Sequence, residues 1–324
     1  MNIRLPRSTL LLFAALVWGV PANADALRVG WQTVDGIDLF YREGGARDAP
    51  AVVVFLHGNP ASSLQYAQVM HGLAQTGRYH VLAMDYPSFG FSAAPDRRSF
   101  RYTFDNVAAT VRKFLAARNI ERYALFMQDY GVPIGFRLIA ESPDSITAII
   151  VQNGVIHLDG FPRAQDENGE LRRYWRERNP QTDARRRSYT QSMTFPQRAG
   201  WDYSATTTPE VTLANIAAAQ RPGVVDARND LWFDYGSNLQ RYSEWQAALR
   251  KMSVPVLVLW GSRDDFFTTP GALAYLRDAP HAEVHILDAD HYATLDVPGE
   301  IIHITRRFLD AGINPAAAAE RPRK

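Results

Sequence analysis

Six apolar runs rich in Val, Ile and Leu punctuate the chain: AVVVFLHG (51–58), HVLAMDY (80–86), YALFMQDY (123–130), ITAIIVQNG (146–154), VPVLVLWGS (254–262) and AEVHILDADH (282–291). They are nearly continuous rather than alternating, the pattern of parallel strands covered on both faces. Between them lie stretches with helical period, such as 103–120, where Val107, Val111, Phe114 and Leu115 share one face. Strand and helix alternate, so the fold class is α/β, a mostly parallel, doubly wound sheet. A hairpin over 27–45, turning at Asp35-Gly36, is expected to start that sheet.

The rhythm breaks between 156 and 235, a stretch rich in Arg, Gln, Thr and aromatics and without a Val/Ile run. It reads as a mostly helical insertion, a cap over a core made of 25–155 and 236–313. Residues 314–324, with PAAAAERPRK, read as a disordered tail.

With 324 residues, 46% hydrophobic and 21% charged, the chain can bury the core of one large domain with an insertion. A formal net charge of +1 gives no electrostatic footprint for nucleic acid or an anionic membrane surface. The short cluster Arg185, Arg186, Arg187 reads as a solvated face. There is no cysteine, which excludes thiol catalysis, zinc–thiolate sites and a disulfide framework.

The run FMQDYGVPIG (126–135) sets an aspartate where a strand turns into a helix. A side chain at such a turn is thrust out at the carboxyl end of the sheet, and the crowded backbone needs small neighbours, here Gly131 and Gly135. The following helix aims free N–H groups and its positive dipole end at the same spot, which favours an ionised Asp129. A carboxylate held so is a poor general base and a usable nucleophile. Attack on an ester or amide carbonyl would give an anhydride. Attack on an sp³ carbon bearing a leaving group gives an alkyl ester, which water then hydrolyses with the help of a base.

His291 closes the last apolar run and Asp264 follows the preceding one, so both fall at the carboxyl edge of the sheet. The order nucleophile, acid, histidine is that of an α/β-hydrolase triad. Asp265 competes with Asp264 for the acid role, whereas His57 reads as a structural hydrogen-bonding residue. No serine occupies an elbow, since Ser62, Ser63 and Ser92 fall in other loops, which disfavours a serine esterase.

From about 30 to 310 the chain resembles the α/β-hydrolases with an aspartate nucleophile, the epoxide hydrolases and haloalkane dehalogenases. HGNP (57–60) is similar to the family's oxyanion turn, which implies backbone N–H groups of Asn59 and Tyr130 as donors and a cis Asn59-Pro60 bond. DYPSFGFS (85–92) resembles its D-x-x-G-x-G-x-S loop, with Ser88 in place of the first glycine. The resemblance implies the α/β-hydrolase fold with an inserted helical cap. Asn59 and the elbow MQDYGVPIGF suggest the dehalogenase branch, but that branch carries tryptophan directly after the nucleophile and this chain has Tyr130. The epoxide branch uses two cap tyrosines, one some 45 residues after the nucleophile and one some 30 before the acid; Tyr174 and Tyr235 stand 45 after Asp129 and 29 before Asp264. Trp175 is then either a halide donor or a wall of an apolar pocket.

The expectation is a hydrolase acting on a small apolar molecule through an alkyl-Asp129 ester, epoxide opening to a diol first and halide displacement second. Water is the co-substrate, and no metal or organic cofactor is implied. The rivals are an esterase-like hydrolase without serine and a non-catalytic binding protein on the same scaffold.

The N-terminus carries Arg4 and Arg7, an apolar stretch from Leu10 to Val20 and then Ala22-Asn23-Ala24. A basic n-region, an h-region too short for a bilayer and an A-x-A site make 1–24 a signal peptide and the protein exported, periplasmic or secreted, with no membrane span left after cleavage. The mature chain is expected to begin at Asp25, losing two arginines and moving from +1 to about −1. Intact-mass analysis of protein from its native host checks this, and a soluble cytoplasmic pool retaining Met1 would end the idea.

Overall fold

The computed structural model describes residues 27–162, 169–193 and 209–313. The signal peptide (1–24) and tail (314–324) expected from the sequence lie outside the described residues. Strands β1 (Arg28–Val34), β2 (Ile37–Gly44), β3 (Ala51–Leu56), β4 (Tyr79–Met84), β5 (Tyr123–Gln128), β6 (Ile146–Gln152), β7 (Val256–Gly261) and β8 (Glu283–Leu287) form one sheet in the order β1-β2-β4-β3-β5-β6-β7-β8. Only β2 runs against its neighbours; β3 to β8 are parallel. All six apolar runs are strands, and every residue of β4, β5 and β7 is buried. The first hairpin turns at Asp35 and Gly36, both with positive φ, as a two-residue turn between twisted strands requires.

Helices α1 (Ala67–Ala74), α2 (Phe104–Ala117), α3 (Gly131–Glu141), α4 (Glu170–Arg176), α5 (Pro180–Met193), α6 (Pro209–Ala219), α7 (Val224–Lys251), α8 (Pro270–Ala274), α9 (Ala293–Asp296) and α10 (Pro298–Ile313) surround the sheet. Helix α2 begins at Thr103, whose side chain accepts from the Asn106 N–H, and buries the expected stripe of Val107, Val111, Phe114 and Leu115. One core cluster joins α2, α3 and α7 to one face of the sheet; a second joins α1 and α10 to the other. None of the described helices is long and apolar enough to cross a membrane.

Strand order reverses at β3: the chain leaves β3 for β4 on one side and returns to β5 on the other. In open α/β sheets the crevice beyond the carboxyl ends of strands at such a reversal is where ligands bind. The turn HGNP follows β3, and Asp129 follows β5.

Helices α4 to α7 lie between β6 and β7, where the sequence places the cap. The expected cap boundary at 235 falls inside α7, a single helix that passes from the cap onto the core and buries Ala227, Leu231, Tyr235, Tyr242, Trp245 and Leu249 along one face. Of the arginine cluster read as a solvated face, Arg185 and Arg187 are exposed and Arg186 is half-buried. Arg186 lies over the Trp232 ring and Arg187 pairs with Asp226, so the cluster binds α5 to α7.

His57, read from the sequence as structural, is fully buried at the end of β3. Its Nδ1–H donates to the Gly58 carbonyl (2.9 Å), its Nε2 accepts from the Tyr86 N–H (3.3 Å), and its ring stacks on Tyr86. Both nitrogens of a neutral imidazole are thus used, and burial lowers its pKa to about 4. An unfolded histidine takes up its proton near 6.5, so the unfolded state gains protons first as the pH falls, and stability is lost between about 6.5 and 4. This group alone is expected to remove about 2 kcal/mol of unfolding free energy between pH 7 and pH 5. Urea titrations at both pH values, with His57→Asn for comparison, check it: the variant should show the shallower dependence.

Candidate active site

Asp129 stands between β5 and α3 with φ +48°, a left-handed conformation that a non-glycine residue rarely adopts without cause. The neighbouring glycines supply the room expected of them. A Cβ at Gly131 would lie 2.0 Å from the Leu56 carbonyl oxygen, and one at Gly135 2.1 Å from the Met127 sulfur.

The turn after β3, with Asn59-Pro60 cis, brings the Asn59 N–H to 2.7 Å from Asp129 Oδ1. Burial raises the Asp129 pKa above the usual carboxylate value; the charge of His291 and the N–H groups of Asn59 and Tyr130 pull the other way. The sequence reading counted only the pull toward the anion. The structure adds the opposing desolvation.

His291, in the loop between β8 and α9, holds Asp264 Oδ2 at 2.8 Å through Nδ1 and turns Nε2 toward Asp129, 4.0 Å from Oδ2. Burial lowers the His291 pKa, but the charge and hydrogen bond of Asp264, with the charge of Asp129, outweigh it and the net shift is upward. Asp264 is itself held: Oδ1 accepts from the N–H groups of Phe266 (2.7 Å) and Phe267 (3.1 Å), and Oδ2 accepts from Asn153 Nδ2 (2.7 Å). Its neighbour Asp265 is exposed, so geometry selects Asp264 of the two.

Three polar residues at this edge escaped the sequence reading. Gln128 Nε2 lies 2.9 Å from His291 Nε2, donating to it when the imidazole is neutral, and 3.3 Å from the His291 carbonyl. Gln152 Nε2 donates to that same carbonyl (3.0 Å). Asn153, itself at positive φ, accepts the Asp129 N–H at its carbonyl and the Gly261 N–H at Oδ1. The available signal was an amide side chain closing each of two largely apolar strands, at the edge where the other polar residues gather.

The cap residues divide. Tyr235 is buried above the elbow, its ring 5.8 Å from that of Tyr130 and stacked on Trp175 at 5.0 Å. Burial, the neighbouring Tyr242 and the Asp129 charge all push the Tyr235 phenol well above its ordinary pKa. Tyr174 is spent elsewhere: its hydroxyl donates to Asp183 Oδ1 (2.8 Å), and its ring meets Phe233 edge-on. The Tyr130 hydroxyl and the Trp175 indole N–H are buried without a hydrogen-bond partner. Among the described residues no group of three or more His, Asp or Glu could hold a metal ion.

The family model of the alpha/beta hydrolase fold matches residues 51–298. An uncharacterized hydrolase of Saccharomyces cerevisiae, YNR064C, is 34% identical over 271 residues, covering 81% of this chain and 90% of the yeast protein. Among solved structures, a loop variant of the haloalkane dehalogenase DbeA from Bradyrhizobium elkanii superposes with a TM-score of 0.72 at 24% identity, covering 90% of this chain and 99% of the other. The epoxide hydrolase CorEH superposes with a TM-score of 0.70 at 17% identity, covering 88% and 99%. With strand order, elbow and cap insertion in place and the family model spanning most of the chain, this protein belongs to the alpha/beta hydrolase fold family and is a hydrolase.

Proposed function

We propose that the protein hydrolyses an epoxide to a vicinal diol through an ester on Asp129. The observation that carries the reading is the division of labour between the two carboxylate oxygens. Oδ1 is occupied by the Asn59 N–H at 2.7 Å, while Oδ2 faces His291 and is the one left to attack.

Oδ2 bonds to a ring carbon, and the carbon–oxygen bond of the strained ring breaks. The departing oxygen keeps the electron pair and takes the phenolic proton of Tyr235. A phenol of raised pKa stays protonated until an alkoxide develops beside it, which suits it to this role and no earlier one. In the second step His291 Nε2 removes a proton from water, and the hydroxide adds to Cγ of the ester. The negative charge then develops on Oδ1, which already accepts from the Asn59 N–H. Collapse expels the diol with the proton from His291, and the proton left on the Asp129 carboxyl returns to the Tyr235 phenolate.

Esterification also adjusts the base. Part of the upward shift of His291 comes from the Asp129 charge; that charge vanishes in the ester, so the imidazole is freed to act as a base in the step that needs one.

Halide displacement at the same carboxylate is the second reading, favoured by the buried Trp175 indole N–H that has no acceptor. Export remains part of the proposal on the strength of residues 1–24.

If only ester hydrolysis needs the base, His291→Gln should still be alkylated and then stall. Mass spectrometry of the variant after substrate addition is expected to find substrate mass on the peptide carrying Asp129; an adduct on a serine, or sustained turnover with no adduct, would refute the assignment.

The two cap tyrosines should separate. Tyr235→Phe keeps the ring but removes a donor aimed at the developing alkoxide, and epoxide turnover should fall by about 10² to 10³ while bromoalkane turnover changes far less. Tyr174→Phe, which loses only the bond to Asp183, should cost less than about tenfold. Steady-state rates of both variants on both substrates decide it, and unchanged epoxide turnover by Tyr235→Phe would move the assignment to the dehalogenase branch.

A further inference from the structure

Among the described residues two arginines, Arg137 and Arg228, are almost wholly buried, and they differ. Arg137, 2% exposed, is satisfied: Nε reaches Asp105, and Nη1 donates to Asn238 Oδ1 and the Pro133 carbonyl. Arg228, in the second turn of α7 and also 2% exposed, is not. Its guanidinium lies 4.6 Å over the Phe89 ring, and Nη2 makes one long bond of 3.4 Å to the Ser88 carbonyl. Nε and Nη1 have no hydrogen-bond partner, and no carboxylate pairs with this side chain among the described residues. Its charged neighbour is another cation, Arg221, whose Nη2 is also buried without a partner while Nη1 and Nε donate to the carbonyls of Ser92 and Ala218. Burial and the Arg221 charge lower the Arg228 pKa only to about 10, so it is a cation at neutral pH.

A buried cation without a counter-charge is costly and persists where something compensates it part of the time. The surroundings of Arg228 identify where that something enters. The phenols of Tyr130 and Tyr292 also act on its charge. Tyr130 follows Asp129 in the chain, and its hydroxyl is unsatisfied. Tyr292 follows His291 and donates to the Asn59 carbonyl at 3.1 Å. Phe89, under the guanidinium, packs 5.3 Å from His57 at the start of the same turn. Arg228 thus borders the elbow on the side of the β3 and β4 loops. Tyr235 lies two turns along the same face of α7, about 10 Å away along the helix axis.

We propose that Arg228 anchors a carboxylate carried by the substrate, with Arg221 reinforcing it, so that the site takes an epoxy acid whose anionic end lies away from the reacting ring. The inference rests on the reading of Asp129 as nucleophile and adds a charged end to the apolar substrate expected from the sequence. The aromatic side chains of Tyr130, Tyr235 and Trp175 then contact the hydrocarbon between ring and carboxylate.

The test compares a terminal epoxyhexanoate with the matching epoxyhexanamide, equal in length and differing in charge. The wild-type kcat/KM should favour the acid by roughly 10- to 100-fold, the worth of one charge-assisted hydrogen bond, and mainly through KM. Arg228→Met should bring the ratio of acid to amide close to one, and Arg228→Lys should leave an intermediate ratio. Equal wild-type rates on the two substrates, or a loss by Arg228→Met that falls on both alike, would overturn the proposal. Binding is read separately by calorimetry of unreactive hexanoate and hexanamide on the wild-type protein. Hexanoate is expected to bind the more tightly, and equal affinity or no binding of either would also overturn it. Failure of the hydrolysis itself is distinguishable: hexanoate would bind selectively, yet neither epoxide would turn over or leave mass on Asp129.

Discussion

The polar groups at the carboxyl edge of the sheet answer to one constraint: the Asp129 carboxylate is buried at the end of a central strand and its charge must be accommodated there. Burial alone would neutralise it, since desolvation raises the Asp129 pKa. Backbone N–H groups and the nearby His291 ring oppose that, and the two influences meet on different oxygens. The left-handed backbone at Asp129 and the close approach of Gly131 to the Leu56 carbonyl are what bring β3 and β5 near enough for the Asn59 N–H to reach Oδ1. Donors fixed in the backbone need no reorganisation when charge develops, which is where such a site gains over water.

The second carboxylate is held by different means and does a different job. Asp264 accepts from two backbone N–H groups and the Asn153 amide before it meets His291. Asn153 is the joint of the arrangement: its carbonyl receives the Asp129 N–H, its side chain grips Asp264, and Gly261 at the end of β7 donates to it. One residue at the end of β6 therefore couples the positions of both acids. Gln128 and Gln152 fix the histidine through its ring and carbonyl. Low local dielectric strengthens the bonds of such a network, although Gln152 Oε1 is buried without a partner.

The legibility of this arrangement in the sequence follows the range of the forces involved. Strands were legible because burial on both faces leaves no polar position in β7, and only His80 in β4, to interrupt the apolar pattern. Asp129, Asp264 and His291 stood out as candidates because each lies at or just beyond the end of such a run, and the strand ends share one edge in a parallel sheet. Side-chain direction within the cap was not. Spacing placed Tyr174 and Tyr235 as a pair, but Asp183, nine residues on from Tyr174, captures the first hydroxyl. Capture of that kind depends on how α4 packs on α5, and no chain interval encodes it. The same holds for Arg186, whose charge suggested solvent while its planar guanidinium favoured the face of Trp232.

Helix α7 connects these scales. Its early turns carry Arg228 and its middle carries Tyr235 over the elbow, while Trp245 and Leu249 are sunk in the main core. A helix of 28 residues anchored at its far end in that core cannot shift its near end without disturbing packing there. The α7 residues over Asp129 are therefore carried on a helix whose far end is packed into the main core. The helix runs through the boundary that the apolar pattern suggested at 235 because pattern marks where burial changes, and α7 stays buried along one face on both sides of it. Cap and core are in this respect one packed unit along α7. The row of α7 side chains that faces the elbow thus continues into the row that packs the core.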